Sequence, residues 1–209
     1  MAQSDRQRGR LEDERLQTGR GAYVDDFWPE GLAHACFVRA PVAHGRLNAV
    51  ATDSARRMPG VLAVLTAADL AADGIADLPC DLDPPRDDGG TGHPTPRPWL
   101  ARDRVRFVGE PVALVVAETL VTAADAAEQV TLEIDELPCV VDVDASLADG
   151  AATVWPEAAD NIAFVRRMGD AESVRAAFAG ATHVVSLNLD ISRVIAAALE
   201  TRAALGLVG

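Results

Sequence analysis

The sequence predicts an α+β fold, a mixed sheet with short helices, and three observations in residues 104–138 carry that prediction. Pro111–Ala117 (PVALVVA) is an unbroken apolar run, as in a strand covered on both faces and central to its sheet. Leu120, Ala123, Ala124, Ala127 and Val130 then recur at helical spacing, with Thr122 and Asp125 placed to form a capping box. Finally, Val130, Leu132 and Ile134 alternate with Thr131, Glu133 and Asp135, the pattern of a strand with one wet face. A helix therefore connects two strands, and a further strand over residues 104–108 leads in.

The remaining elements follow in chain order. Residues 1–18 are polar, carry mixed charge and lack an apolar face, so disorder is expected there. Gly19-Arg20-Gly21 has no third glycine and no preceding strand, which makes it a turn rather than a dinucleotide cradle. Residues 32–39 read as a strand with His34, Cys36 and Val38 on one face, ended by Pro41. A short helix over 53–58 stops at Pro59-Gly60, and residues 61–65 (VLAVL) make a second buried strand. Thr66 and Asp69 form a capping box for another helix, 67–71. Residues 73–98 hold six of the twelve prolines and a glycine-rich acidic tip, so they are expected to form a long surface loop. Residues 139–147 continue extended, and 149–162 lack periodicity, as in a linker. Asp170 caps a helix over 171–179 with Gly180 at its end. Residues 182–190 alternate as a last strand, whose Val185, Leu187 and Leu189 face lacks part of its cover and invites dimerisation or fraying.

Composition excludes several classes of function. With 209 residues and 49% hydrophobic content the chain can bury a core. The net charge of −13 argues against binding nucleic acid or anionic membrane. There is no lysine, which removes a lysine nucleophile, a Schiff base and a phosphate-loop lysine. No secretory core and no membrane-length apolar run is present, so a soluble, cytoplasmic protein is expected. Cys36, Cys80 and Cys139 are too widely spaced for a metal or iron–sulfur motif and read as reduced thiols.

No catalytic site assembles on spacing alone. The serines lack a nucleophile-elbow context, and the paired acids fall in turns. His34 and His44 read as ordinary strand and loop histidines, with no carboxylate or cysteine to complete a ligand set. The acidic tip at 87–92 with His93 reads as a weak cation site or, more simply, a solvated excursion. The most suggestive cluster is Gly109-Glu110-Pro111, a tight turn with two readings. Either Glu110 meets Arg104 or Arg106, or it is an exposed acid between a turn glycine and a proline.

Five segments in order carry a resemblance: GRGAYVDD (19–26), HACFVRAPVAHGRL (34–47), MPGVLAVLTAADL (58–70), VRFVGEPVALVVAET (105–119) and ELPCVVD (136–142). Together they resemble the N-terminal α/β hammerhead domain of the molybdopterin-binding large subunit in the xanthine dehydrogenase, aldehyde oxidase and aerobic carbon monoxide dehydrogenase family. Arg193, Leu199-Glu200 and Arg202 fall where that family has an Arg, a Met-Glu and an Arg at the start of its cofactor domain. The resemblance implies an oxidoreductase that uses a molybdopterin-type molybdenum cofactor and passes electrons to iron–sulfur and flavin partners. It implies no catalytic, cofactor-binding or metal residue here, because the family's base and pterin loops lie in later segments. Gly109, Glu110, Pro111, Glu200 and Arg202 stand only as matches to family motifs.

The expected organisation is a disordered segment at 1–18, the hammerhead domain at 19–148, a linker at 149–169 and the truncated start of the molybdopterin-binding domain at 170–209. Three functional readings stay open, the third being a split enzyme whose cofactor domain is a separate chain. In one, the chain is the N-terminal portion of such a large subunit, structural and inactive alone, joined by the remaining cofactor domain and by iron–sulfur and flavin subunits. In the second, it is a stand-alone, non-catalytic binding or assembly module derived from that domain.

Overall fold

The computed structural model describes residues 10–80, 86–90, 93, 95–191, 194–198 and 200–207; the chain divides into two compact units, 33–180 and 1–32 with 181–209. The larger unit holds β1 (His34–Arg39), β2 (Gly45–Ala51), β3 (Val61–Thr66), β4 (Arg104–Val105), β5 (Pro111–Ala117) and β6 (Thr131–Glu136). They form two three-stranded sheets, ordered β1-β5-β3 and β4-β2-β6, in which each strand pairing is antiparallel. The helices α2 (Asp53–Arg56), α3 (Ala67–Ala72), α4 (Leu120–Glu128), α5 (Val143–Ser146) and α6 (Ala171–Gly180) are short, so the class is α+β as expected.

β5 lies in the middle of its sheet, bonded on both edges, as its apolar run predicts. From β5 the chain passes through α4 into β6, which belongs to the other sheet, so the connecting helix links two sheets rather than two strands of one. Ala123 and Ala126 form its buried side, and their small size lets the helix lie close to the sheet. Val38, Val64, Ala113 and Val115 pack with Ala55 of α2 and Ala126 of α4. A second cluster joins Leu47, Val105 and Val112, and Val50 and Leu132 touch both clusters. Val64 and Val115 are fully buried; burial of each stabilises the fold by roughly 1.5–3 kcal/mol.

Several expectations need correction. β2 was not foreseen: GRLNAVA carries Arg46 and Asn48 on its wet face and lacks a clean apolar stripe, yet it is the centre of the second sheet. Gly45 begins it where Ile134 Cγ2 occupies the place of any side chain. β3 is an edge strand, with Val64 buried and Leu62 57% exposed, and so is not covered on both faces. β4 spans two residues rather than 104–108, because the chain turns towards Glu110 at Phe107. The cap of α4 is Thr119, whose Oγ1 accepts the N–H of Thr122 at 3.1 Å, and not Thr122 with Asp125.

Residues 143–146 coil into α5 instead of continuing extended, because Asp142 accepts the N–H of Ala145 at 2.8 Å. Asp170 caps α6 as expected, accepting from Glu172 and Ser173 at 2.9 and 3.1 Å. The Pro-rich stretch is tied down where it is described: Leu78 bridges Arg97, and Arg86 bridges Val165. Arg86, with a side chain only 6% exposed, grips both carboxylate oxygens of Asp160 at 2.9 Å and Asp88 at 2.7 Å. Asp88 in the acidic tip is therefore paired with the Arg86 guanidinium rather than left open for a metal ion. Thr91 and Gly92 lie outside the described residues.

In the smaller unit, residues 13–17 form the helix α1 (Asp13–Gln17) inside the segment expected to be disordered, with Arg10 N donating to Asp13 at 2.9 Å. Residues 182–190 form no strand, since no neighbour pairs with them among the described residues. The Glu200 carboxylate accepts the N–H of Val24 at 3.0 Å, and Arg202 is exposed. Arg193 and Leu199 lie outside the described residues. No helix is long and apolar enough to cross a membrane among the described residues.

Candidate functional site

The β1-β5-β3 sheet has two unlike faces. One packs on α2 and α4 through Val38, Val64 and Val115. On the other, Phe37, Leu114 and Leu65 sit side by side across the three strands, since Leu114 is the register partner of both. This row is the floor of a cavity of about 500 Å³, walled by Leu70, Ile75, Leu78, Trp99 and Phe107. A smaller cavity of about 250 Å³, lined by Arg106, Val154 and Trp155, shares Arg97, Pro98, Phe107 and Glu110 with the first.

The Gly109-Glu110-Pro111 turn stands where the two cavities share their lining. Gly109 has φ +85°, the left-handed region that side chains disfavour. Its N–H donates to Ala40 O at 2.8 Å and its carbonyl accepts Arg39 Nη1 at 2.9 Å. Glu110 O accepts the N–H of Ala40 at 2.9 Å, which bolts the turn to the end of β1. Pro111 opens β5 opposite Arg39, where the register shifts. Glu110 is 5% exposed, so the reading of it as an exposed acid is overturned. Its carboxylate accepts the backbone N–H of Arg106 at 2.5 Å, the other of the two readings, met through the main chain. Burial pushes the Glu110 carboxyl above its usual range; the Arg106 amide and the Arg106 and Arg97 charges oppose that shift.

Arg106 lays its guanidinium 4.0 Å from the Trp155 ring centroid and donates through Nη1 to Arg104 O at 3.3 Å. Its Nε is buried and has no acceptor among the described residues. His44, expected as a loop histidine, is buried at 6% exposure; Nδ1 donates to Pro138 O at 2.8 Å and Nε2 accepts from Arg104 Nη1 at 3.2 Å. It is a structural tie between the β2 and β4 ends of the second sheet. No group of three or more His, Cys, Asp or Glu residues is placed to hold a metal among the described residues.

The structure brings Gly109, Glu110 and Pro111 together with Arg97, Arg106 and Trp155. Sequence reasoning missed the last three as site residues, apart from Arg106 as a partner of Glu110. Arg97 and Trp155 sit in segments without periodicity, and nothing local marks them. Glu200 and Arg202 belong to the other unit, with Glu200 engaged by a backbone amide.

The model of the aldehyde oxidase and xanthine dehydrogenase a/b hammerhead domain matches residues 18–138, and the chain belongs to that family. It is 41% identical over 196 residues to the nicotine 6-hydroxylase large subunit of Paenarthrobacter nicotinovorans, covering 94% of this chain and 23% of that protein. It is 37% identical over 202 residues to the carbon monoxide dehydrogenase large chain of Hydrogenophaga pseudoflava, covering 91% of this chain and 24% of that one. It also superposes on a solved Cu,Mo-CO dehydrogenase in its carbon monoxide reduced state with a TM-score of 0.67 at 32% identity, over 84% of this chain and 22% of that one. The chain thus spans about a quarter of the length of the curated relatives it matches. It is homologous to part of the large subunits of molybdenum hydroxylases.

The residues around the two cavities do not fit a molybdenum–pterin group. Such a group needs many directed polar contacts, whereas the larger cavity offers Arg97 and Glu110 among apolar walls. Glu110 already commits one carboxylate oxygen, Oε2, to the Arg106 amide.

Proposed function

We propose that this chain is the N-terminal portion of a molybdenum hydroxylase large subunit, structural in itself and inactive alone. The observation that carries the reading is the alignment of 94% of the chain with only 23% of the nicotine 6-hydroxylase large subunit. In this reading residues 18–138 form a hammerhead scaffold, and the pterin, the molybdenum and the catalytic base come from the rest of the subunit. Iron–sulfur and flavin subunits accept the electrons, and the assembly works in the cytoplasm. Gly109, Glu110 and Pro111 hold the end of β1 against β5, a scaffolding task. Residues 170–209 are the start of the cofactor domain, where Glu200 and Arg202 match family positions.

A second reading, a stand-alone binding or assembly module, draws support from the self-contained cores of the 33–180 unit. The experiment that tests the first reading is molybdenum and pterin analysis of the purified chain, with dye-linked assays on carbon monoxide, aldehydes and xanthine. No molybdenum and no turnover are expected. Stoichiometric molybdenum, or turnover by the chain alone, would overturn it. These readings part at the gene neighbourhood: frames encoding the remaining cofactor domain with iron–sulfur and flavin subunits favour the first, or a split enzyme with that domain on a separate chain, and an isolated gene favours the second.

A further inference from the structure

The larger cavity has the size and apolar lining of a small-molecule pocket, with its few polar groups gathered at one side. That side is shared with the smaller cavity, where two guanidiniums, Arg97 and Arg106, line the walls against one carboxylate, Glu110. The local balance is therefore positive on a chain whose net charge is −13. Arg97 is exposed and lies over the Phe107 ring at 5.9 Å. Arg106 Nε is the one buried side-chain polar atom without a partner among the described residues. That atom is closed off from both cavities, so the group that meets a ligand on this side is the exposed Arg97 guanidinium, which a carboxylate complements. Glu110 makes no ion pair with Arg97 among the described residues, its Oε2 being turned to the Arg106 backbone N–H at 2.5 Å.

We propose that the two cavities together form one binding site for a small amphipathic monocarboxylate. Its apolar body lies over the Phe37–Leu114–Leu65 row, and its carboxylate pairs with the Arg97 guanidinium on the side that the two cavities share. The chain's overall negative charge disfavours polyanions, so a single carboxylate on an aliphatic or aryl body fits better than a phosphorylated ligand. Trp155, stacked on Arg106, forms the far wall of the head-group site. The assignment is independent of the family role, because it concerns binding by this chain as it stands.

The test is calorimetric titration of the full chain with decanoate below its micellar range, beside decan-1-ol and decyltrimethylammonium, which share the body and differ in the head. Saturable binding of one decanoate per chain is expected, about tenfold tighter than the alcohol and tighter still than the cation. Arg97→Met should erase the preference for decanoate over decanol while leaving the far-UV spectrum unchanged, since that side chain is exposed. Phe37→Asp, at a half-exposed position of the floor, should abolish binding of all three compounds and serves if the first variant fails to fold. Absence of saturable binding, equal affinity for the three head groups, or an unchanged preference in Arg97→Met would each overturn the proposal. Covering of this face by another polypeptide would appear as the first of these. None of these outcomes bears on molybdenum content, so the family reading stands or falls separately.

Discussion

The Glu110 carboxylate reaches back four residues to accept the Arg106 backbone N–H at 2.5 Å, while the Arg106 guanidinium turns away to stack on Trp155 at 4.0 Å. One arginine thus serves the turn with its main chain and the smaller cavity with its side chain. Glu110 thereby gains one hydrogen bond but stays desolvated, which raises its pKa above the ordinary 4.5. A group with a raised folded-state pKa contributes stability that is complete below 4.5 and is lost as pH rises through the folded value. Glu110→Gln keeps an acceptor oxygen and removes the titration. Its stability relative to the parent chain should therefore improve between pH 4 and pH 7 in urea unfolding, and a difference independent of pH would contradict the assignment.

Arg86 and its two aspartates carry the opposite sign. The Arg86 ion pair and the Gly90 amide hold Asp88 down to about 2, and the Ile162 amide followed by Arg86 lowers Asp160. Their contribution is present above 3.8 and is lost as pH falls, for Asp88 through about 2. Arg86→Met leaves both carboxylates without their shared partner and frees residues 86–90 from 160–167. Faster amide exchange in those two segments, with β5 unchanged, is the expected result. Protection equal to that of the parent would show that the Leu78–Arg97 bridge and the Asp87–Arg167 contacts suffice.

Gly109→Ala isolates the backbone cost of the turn. A Cβ there meets nothing within 4 Å, so crowding plays no part, but φ is +85°. The substitution should lower stability by about 1–2 kcal/mol, read as a shift of the urea midpoint at constant slope.

How much of this was legible in the sequence depends on whether a feature is local. β5 was legible because seven successive positions agree, and α4 and β6 because their periods differ cleanly. β2 was not, because Gly45 and Arg46 open it like a turn and its bonding partners lie about 60 and 90 residues downstream. The Phe37–Leu114–Leu65 row depends on the register of three strands distant in sequence, which no local pattern encodes. The burial of Glu110 was hidden for the same reason. A Gly-Glu-Pro turn reads as exposed until Arg97, Trp155 and Pro98 are placed around it. Arg86 and Asp160 are 74 residues apart, and neither sits in a pattern that names the other.

The start of α4 offers a direct test of which capping pattern operates. Thr119 has extended backbone and accepts from Thr122 N, whereas Asp125 lies exposed in the second turn. Thr119→Ala should cost about 1 kcal/mol, and Asp125→Ala should stay within about 0.5 kcal/mol of the parent. The reverse order would restore the Thr122–Asp125 box.

Residues 182–190 carry a strand's alternation without a strand's ladder. Val185, Leu187 and Leu189 are 92%, 78% and 73% exposed. Alternation orients side chains only once a neighbouring strand supplies the main-chain bonds, and none does so among the described residues. Their amides should exchange far faster than those of Val112 to Val116, which sit in a ladder bonded on both edges. Paired replacements Val185→Ser and Leu187→Ser should leave the unfolding free energy within about 0.5 kcal/mol of the parent, because almost no burial is lost. Strong protection over 182–190, or a large loss of stability in the double variant, would mean that this face is covered in solution.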